Sequence, residues 1–220
     1  MADLLAPTFA EPTRRERRIA ARKQQILTAA TAVFSQKGYA GATTREIAET
    51  ADISEGTLYN YFASKQDLLI GLAEAYADRV TSEMTAMTGE TLEEVMAELL
   101  TARFQSGQER RMFLVFLSEA RLNPDIDHSQ IQDAFARIVR ASEQRLETAV
   151  SAGRMRPINT RIVARAMSAM VMGFGALFEL GGEVREGLTE DGEGNFSPDW
   201  LGQEVTDIFL NGLKPQAGAE

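Results

Sequence analysis

Apolar residues recur every three or four positions along most of this chain, which is the spacing that brings side chains to one face of an α-helix. The first series runs from Ile26 to Phe34 and predicts a helix that begins near Arg14 and ends at Gly38. Similar series follow through the C-terminal part, whereas alternating strand patterns are nearly absent and no internal repeat is found. The pattern therefore predicts an all-α protein of about nine helices.

Two short helical patterns follow the first helix. The segment Thr43-Thr44-Arg45-Glu46 has the spacing of a capping box, in which a threonine hydroxyl and a glutamate three residues later satisfy each other's backbone amides. Asp52-Ile53-Ser54 interrupts the pattern, and Ser54 can cap a second helix that starts at Glu55. Two short helices joined by a tight turn predict a helix-turn-helix, whose second helix enters the major groove of DNA.

The apolar and polar positions of this unit have separate tasks. Apolar side chains would hold the two helices at a fixed angle, and they are Ile47, Ala48, Ile53, Leu58 and Phe62. Polar side chains are thereby left to face DNA, and they are Arg45, Glu55, Thr57, Tyr59, Asn60 and Tyr61. Gly56 has no side chain and would let the backbone approach the duplex closely.

The charge distribution removes an apparent objection to DNA binding, which is the net charge of -9. Nine basic residues lie between Arg14 and Lys65, against seven acidic residues in the first 65 positions. The remaining chain holds 14 basic and 25 acidic residues. A mildly basic N-terminal end on an acidic body can still approach phosphates with that end.

Residues 24–70, QQILTAATAVFSQKGYAGATTREIAETADISEGTLYNYFASKQDLLI, resemble the DNA-binding region of the tetracycline-repressor (TetR) family. The resemblance includes Gly38-Tyr39, the Thr43–Ala48 segment, the Ser54–Phe62 segment and Ser64-Lys65. It covers about a fifth of the chain, and its motifs are dense.

This resemblance implies roles for individual residues. Thr44, Tyr61 and Lys65 would contact phosphates, and Arg45 a base edge or a phosphate. Gly56, Thr57 and Tyr59 would meet base edges or thymine methyl groups, as would Glu55. Glu55 departs from the expected chemistry because phosphates repel a carboxylate, so this side chain either accepts from a cytosine amino group or turns away. The contacts of Glu55 and Asn60 stay open.

Residues 1–13 hold Pro7 and Pro12 and no helical periodicity, and we expect them to form a disordered arm. The resemblance implies that residues 14–65 form the three-helix DNA-binding domain and residues 66–220 a ligand-binding and dimerisation domain. The segment 160–180 is apolar around most of its circumference and must be covered on two sides. It would pair with residues 198–213 in a four-helix dimer bundle, with candidate contacts at Ala166, Ala169, Gly173, Ala176, Leu201, Val205 and Ile208. A small, apolar effector would lie among Phe104, Phe113, Phe116, Leu117, Met170 and Phe174, although these residues would equally suit a helical core.

Other classes of protein are less well supported by the sequence. There is no cysteine, and the longest uncharged apolar run, residues 166–178, is shorter than the roughly 20 residues of a membrane span. We therefore expect a cytoplasmic protein with no membrane partner. His128 with Asp125 and Asp127 could suggest a metal site, but a polar loop at a helix start is the simpler interpretation.

The expected function is that of a ligand-responsive transcriptional regulator, with a repressor favoured, that binds a palindromic operator on double-stranded DNA as a homodimer and is released by a small molecule. We expect no metal, no cofactor and no enzymatic activity, since a lone histidine and the lack of a phosphate-binding loop leave little for catalysis. Two alternatives are an enzyme built on a helical bundle and an architectural DNA-binding protein without sequence preference.

Overall fold

A computed structural model describes residues 13–87, 91–122, 128–186, 188–189 and 197–211, and all regular structure within these ranges is helical. The helices are α1 (Arg14–Gly41), α2 (Thr44–Thr50), α3 (Glu55–Tyr59), α4 (Lys65–Ala86), α5 (Leu92–Gln105), α6 (Gly107–Leu122), α7 (Ser129–Ser151), α8 (Thr160–Leu180), α9 (Gly182–Glu186) and α10 (Pro198–Asn211). The prediction of an all-α fold is confirmed. The short helix α9 directly follows α8.

The chain divides into two units, Met1–Leu68 and Leu69–Glu220. The division lies three residues beyond the predicted boundary at residue 65. The predicted disordered arm lies outside the described residues, apart from Thr13, which caps α1.

The core of the N-terminal unit forms where α1 crosses the two short helices. Ile26, Ala30 and Phe34 follow one another at four-residue spacing on α1, and each is fully buried. Ile47 from α2 and Leu58 from α3 are also fully buried. Burying each large apolar side chain contributes about 1.5–3 kcal/mol, so this small core fixes the angle between α2 and α3.

The end of α1 differs from the prediction. Gly38 adopts a φ of 69°, which L-residues with a side chain rarely adopt, and it bends the chain as we expected of a helix stop. Helical structure nevertheless continues to Gly41 beyond this kink. The kink brings Tyr39 back onto Phe34, with their ring centroids 5.5 Å apart.

In the C-terminal unit, α10 packs against α5 at close range. Leu100 and Phe104 from α5 and Leu201 and Val205 from α10 form a buried cluster. The approach depends on Gly202, because a Cβ there would lie 2.5 Å from Thr101 Oγ1. A larger residue at this position would push the two helices apart.

Aromatic side chains join three further helices of the same unit. The Phe135 ring on α7 lies 6.1 Å from the Tyr76 ring on α4 and 5.5 Å from the Phe116 ring on α6. Helix α8 packs on α6 and α7. This arrangement encloses a space between α4, α5, α6, α7 and α8.

Candidate nucleic-acid interface and internal cavity

The capping box predicted at the start of α2 is present. Thr43 Oγ1 accepts a hydrogen bond from the backbone of Glu46 at 3.2 Å, and the Glu46 carboxylate accepts one from the Thr43 amide at 3.1 Å. Lys37 Nζ lies 2.5 Å from the other oxygen of the same carboxylate. The hydrogen bonds from Lys37 and Thr43 hold the pKa of Glu46 below its ordinary value of 4.5. The start of α2 is therefore fixed by charge as well as by capping.

The turn between α2 and α3 is also specified locally. Asp52 has a φ of 51°, a left-handed conformation that aspartate tolerates better than most residues. Ile53 N donates to Ala48 O at 3.0 Å, which closes the turn. Ser54 Oγ then accepts from Thr57 N at 3.1 Å and starts α3, as the sequence predicted.

Thr44, Glu55 and Tyr59 form a hydrogen-bonded group that joins α2 to α3. The Thr44 hydroxyl donates to Glu55 Oε1 at 2.6 Å and lies 3.0 Å from the Tyr59 hydroxyl. Because the single proton of Thr44 is used toward Glu55, Tyr59 is the donor in the second contact. Of the two possibilities for Glu55, the free protein adopts the one in which the carboxylate turns toward its own chain.

The remaining polar positions leave an accessible face on α3. Asn60 and Gly56 are exposed, and Tyr59 keeps 47% of its surface exposed. Thr57 and Tyr61 are half-buried. On α2, the Arg45 side chain is 78% exposed and its Nε lies 3.1 Å from Glu49 Oε1. A pair this exposed contributes little free energy, so Arg45 can exchange Glu49 for an outside partner.

Gly56 has no structural task inside the protein. A Cβ built at this position has its closest neighbour, Ser54 Oγ, at 4.0 Å. Its φ does not lie in the left-handed region that only glycine favours. The glycine therefore keeps the surface of α3 flat where an outside molecule would approach.

Lys65 is held by its own chain. Its Nζ donates to Tyr39 O at 2.8 Å and to Ala42 O at 3.0 Å, and it lies 4.4 Å from the centroid of the Tyr39 ring. These contacts tie the start of α4 to the end of α1. The phosphate contact expected of Lys65 stays a prediction, and the residue has a structural role that the sequence did not indicate.

A cavity of about 90 Å³ lies inside the C-terminal unit. Its apolar wall comes from α4 to α8, with Val80, Leu99, Phe113, Phe135, Val139 and Met167 among the lining residues. Of the residues expected to line a ligand site, only Phe113 does so.

The other five expected ligand-binding residues do not line this cavity, and their role in ligand binding stays a prediction. Phe104 is buried in the cluster between α5 and α10, and Met170 and Phe174 pack on that cluster. Phe116 is buried among aromatic rings, and Leu117 is 51% exposed.

Charged residues form a network at one end of the cavity. Arg79 lies 3.0 Å from Glu83 and 2.7 Å from Glu109, while Arg103 also contacts Glu83. Burial raises the pKa of the neighbouring Tyr76 hydroxyl, with the Arg103 guanidinium acting in the opposite direction. The network joins α4, α5 and α6 within this unit.

Helix α8 carries an exposed apolar face. Ile162 is 63% exposed and Leu180 is 75% exposed. Ala166, Ala169 and Gly173 lie between them and are also exposed, whereas Ala176 is half-buried. By length and composition α8 could cross a bilayer, but a single such helix is weak evidence for a membrane span.

The dimer contacts expected on α10 stay a prediction. Leu201 and Val205 are 4% and 3% exposed because they pack against α5 of the same chain. Ile208 is 43% exposed and remains available.

Residues 26–72 match the family model described as "Bacterial regulatory proteins, tetR family". The matched range contains α2, the turn and α3, with the capped geometry described above. Residues 26–72 therefore form a tetR-family DNA-binding region. The resemblance stated from the sequence is therefore confirmed.

Individual relatives are similar in sequence to most of this chain. The HTH-type transcriptional regulator HbdR of Aromatoleum sp. is 28% identical over 178 residues, which are 76% of this chain and 77% of HbdR. The HTH-type transcriptional repressor AcnR of Corynebacterium glutamicum is 28% identical over 178 residues, covering 76% of this chain and 87% of AcnR. The structure of FadR from Bacillus subtilis in complex with stearoyl-CoA has a TM-score of 0.67 at 18% identity, covering 87% of this chain and 99% of FadR, and shows a shared fold.

The sequence analysis missed the charged residues that line the cavity. Arg103 follows the apolar run of α5 and precedes Phe104, so a charge on a core-facing position was the available signal. No group of three or more potential metal ligands occurs among the described residues. Asp125 and Asp127, which we had considered with His128, lie outside them.

Proposed function

We propose that this chain is a ligand-responsive transcriptional repressor that binds a palindromic operator as a homodimer in the bacterial cytoplasm. The observation that carries the proposal is the accessible face of α3. No contact within the protein requires a glycine at position 56, so the open surface there suits an outside partner. Residues on and next to this face would read bases and phosphates, namely Thr44, Arg45, Glu55, Gly56, Thr57, Tyr59, Asn60, Tyr61 and Lys65.

DNA binding would require the Thr44–Glu55–Tyr59 group to rearrange. A phosphate near the N-terminus of α2 is a strong acceptor for the Thr44 hydroxyl. If Thr44 turns to the phosphate, Glu55 and Tyr59 are released toward the groove. Glu55 would then accept from a cytosine amino group. In this proposal Glu55 turns toward its own chain in the free protein and toward the base in the complex.

The exposed face of α8 supports the homodimer. Small residues at Ala166, Ala169 and Gly173 allow a second helix to come close, and Ile162 and Leu177 would be covered by it. Two recognition helices about 34–36 Å apart then read successive major grooves, which is why the operator would be a palindrome. With this face covered by a second copy, α8 needs no membrane.

The cavity of the C-terminal unit supports a small apolar effector. Its volume of about 90 Å³ is small beside the roughly 300–1,000 Å³ of ligand pockets, so a bound molecule would move helices apart. Such a molecule shifts the population toward the state that accommodates it, and DNA is released as far as that state disfavours the operator spacing. The shared fold of FadR, which holds stearoyl-CoA, is compatible with an apolar ligand.

The test is a selection of randomised duplex DNA by the purified full chain at physiological salt, with competitor DNA present. We expect an enriched palindrome whose half-sites lie one helical turn apart. DNA retained without enrichment would instead indicate an architectural protein. A protein that retains no DNA under these conditions would contradict the proposal.

A further inference from the structure

Arg103 is a buried cation whose hydrogen-bonding capacity is only partly used. The residue is 7% exposed, and its Nη2 donates to Glu83. Its Nε and Nη1 are shielded from solvent but have no hydrogen-bond partner among the described residues. A buried donor without a partner is destabilising by about 1–3 kcal/mol, so native proteins rarely retain one unless something else satisfies it.

Next to Arg103, Glu109 has a buried hydrogen-bond acceptor that lacks a donor. Its Oε2 is buried and likewise has no hydrogen-bond partner in the described part of the chain. Arg103 Nη1 and Glu109 Oε2 lie 3.6 Å apart, which is too far for a hydrogen bond but close enough for one atom to contact both. Both residues line the cavity. The cavity wall therefore presents a hydrogen-bond donor, Arg103 Nη1, next to a hydrogen-bond acceptor, Glu109 Oε2.

The charges around this end are balanced. Arg79, Arg103 and Arg110 are each paired with a carboxylate, from Glu83, Glu109 or Glu179. An anionic ligand would meet Arg103 but would also lie beside Glu109, and a cation would face the reverse conflict. Desolvating an ion without a net countercharge is unfavourable, so the wall favours an uncharged group.

We propose that the effector is an uncharged, largely apolar molecule ending in a hydroxyl group. The hydroxyl oxygen accepts a hydrogen bond from Arg103 Nη1, and its proton is donated to Glu109 Oε2. A hydroxyl is the smallest organic group that performs both tasks at one atom. The apolar remainder lies against Val80, Phe113 and Met167. This inference rests on the proposed function, since it names the chemical class that the cavity of the regulator binds.

The first experiment compares three probes that share an ethyl-substituted benzene ring by calorimetric titration of the full chain at neutral pH. They are 4-ethylphenol, ethylbenzene and 4-ethylbenzoate, which present a hydroxyl, no polar group and an anion. We expect 4-ethylphenol to bind at least about tenfold more tightly than either of the others. Equal affinities for 4-ethylphenol and ethylbenzene, a preference for 4-ethylbenzoate, or no binding of any probe would overturn the proposal.

A variant of nearly the same shape that removes the negative charge tests the role of Glu109. Glu109→Gln removes the carboxylate that repels an anion, so 4-ethylbenzoate should bind about fivefold or more tightly than it does to the unmodified chain. Glu98→Gln makes the same charge change at an exposed position of α5 and should alter no affinity. If folded Glu109→Gln protein binds 4-ethylbenzoate no more tightly than the unmodified chain does, the Glu109 carboxylate does not repel the anion and this part of the proposal is contradicted.

Failure of this inference can be told apart from failure of the proposed function. Each probe is also titrated into the complex with the selected palindrome, and DNA release is followed separately. A hydroxyl preference without DNA release supports the hydroxyl site but contradicts its role as the effector site. DNA release by ethylbenzene as effective as that by 4-ethylphenol would support an effector cavity and overturn the hydroxyl proposal.

Discussion

Individual residues of α2 and α3 differ in whether their own chain already uses them. Thr44 and Lys65 have hydrogen-bond partners within the N-terminal unit, whereas Asn60 is exposed and Gly56 has open space around it. The sequence grouped all four as DNA contacts. Substitutions at the first pair therefore alter folding and binding together, while those at the second pair report on binding alone.

Gly56→Ala separates binding from folding at the surface of α3. The added methyl group meets no protein atom closer than 4.0 Å, and alanine is the better helix former, so stability should be unchanged or higher by up to about 1 kcal/mol. Affinity for the selected palindrome should fall about tenfold or more, as measured by fluorescence anisotropy. Gly41→Ala, where a Cβ makes an ordinary 3.6 Å contact with Lys37 Cβ, is the matched control. Undiminished affinity in Gly56→Ala would remove α3 from close contact with DNA.

Lys65→Met keeps the aliphatic stem but removes the ammonium that two carbonyl groups accept from. Leaving Tyr39 O and Ala42 O without this donor should lower the free energy of unfolding by about 2 kcal/mol, measured by chemical denaturation. Lys23→Met is the control, because Lys23 is exposed and its Nζ lies 5.9 Å from the centroid of the Phe62 ring. If Lys65→Met is as stable as this control yet binds DNA weakly, the phosphate role would be the main one.

Helix starts in the N-terminal unit are set by capping boxes, at Thr13 with Glu16 and at Thr43 with Glu46. These contacts span three residues, so the sequence alone was sufficient to locate the start of α2. The end of α1 was harder to predict, because a bend at Gly38 and a continuing helix have the same local signal. The hydrogen bond from Lys65 to Tyr39 O, which joins residues 26 positions apart, holds the continuation beyond the bend in place.

The capping carboxylates give the N-terminal unit a defined response to acid. The folded-state pKa values of Glu46 and Glu16 are held below 4.5, so their contribution to stability is present above pH 4.5 and is lost as the pH falls through the folded pKa values. Glu46→Gln should therefore flatten the decline of the melting temperature between about pH 6 and about pH 3.

Circular dichroism measures this slope, with Glu74→Gln as the control because it removes an exposed carboxylate from α4. If the melting temperature falls equally steeply with pH in the unmodified chain and in Glu46→Gln, the contacts of the Glu46 carboxylate with Lys37 and Thr43 do not contribute to the acid response.

At the scale of the whole molecule, α8 presents an apolar face that the described residues leave exposed. Ile162, Leu177 and Leu180 are all large and apolar, and all are exposed. Grouped apolar exposure of this kind marks an interaction surface. The small residues between them favour a close helix pair, which supports a second copy of the chain as the partner.

Ala169→Glu places a charge in the middle of this face and should convert the proposed homodimer to monomers in analytical ultracentrifugation. Burying two such carboxylates against each other is strongly unfavourable, so a loss of association by about 100-fold or more is expected. Ala86→Glu makes the same change at an exposed position of α4 and should leave the mass unchanged. A dimer that persists in Ala169→Glu would place the interface elsewhere.

The sequence by itself determined the all-α class, the helix-turn-helix and the caps that frame it, because these depend on contacts between residues a few positions apart. It also identified α8 as a helix with more apolar surface than one chain covers. It placed Leu201 and Val205 at an interface, and five residues in a ligand site, where the structure has other contacts. Only the tertiary structure decided these positions and brought Arg103 to Glu109. The physical reason is that the apolar face of a helix shows that it has to be buried but does not specify which helix covers it.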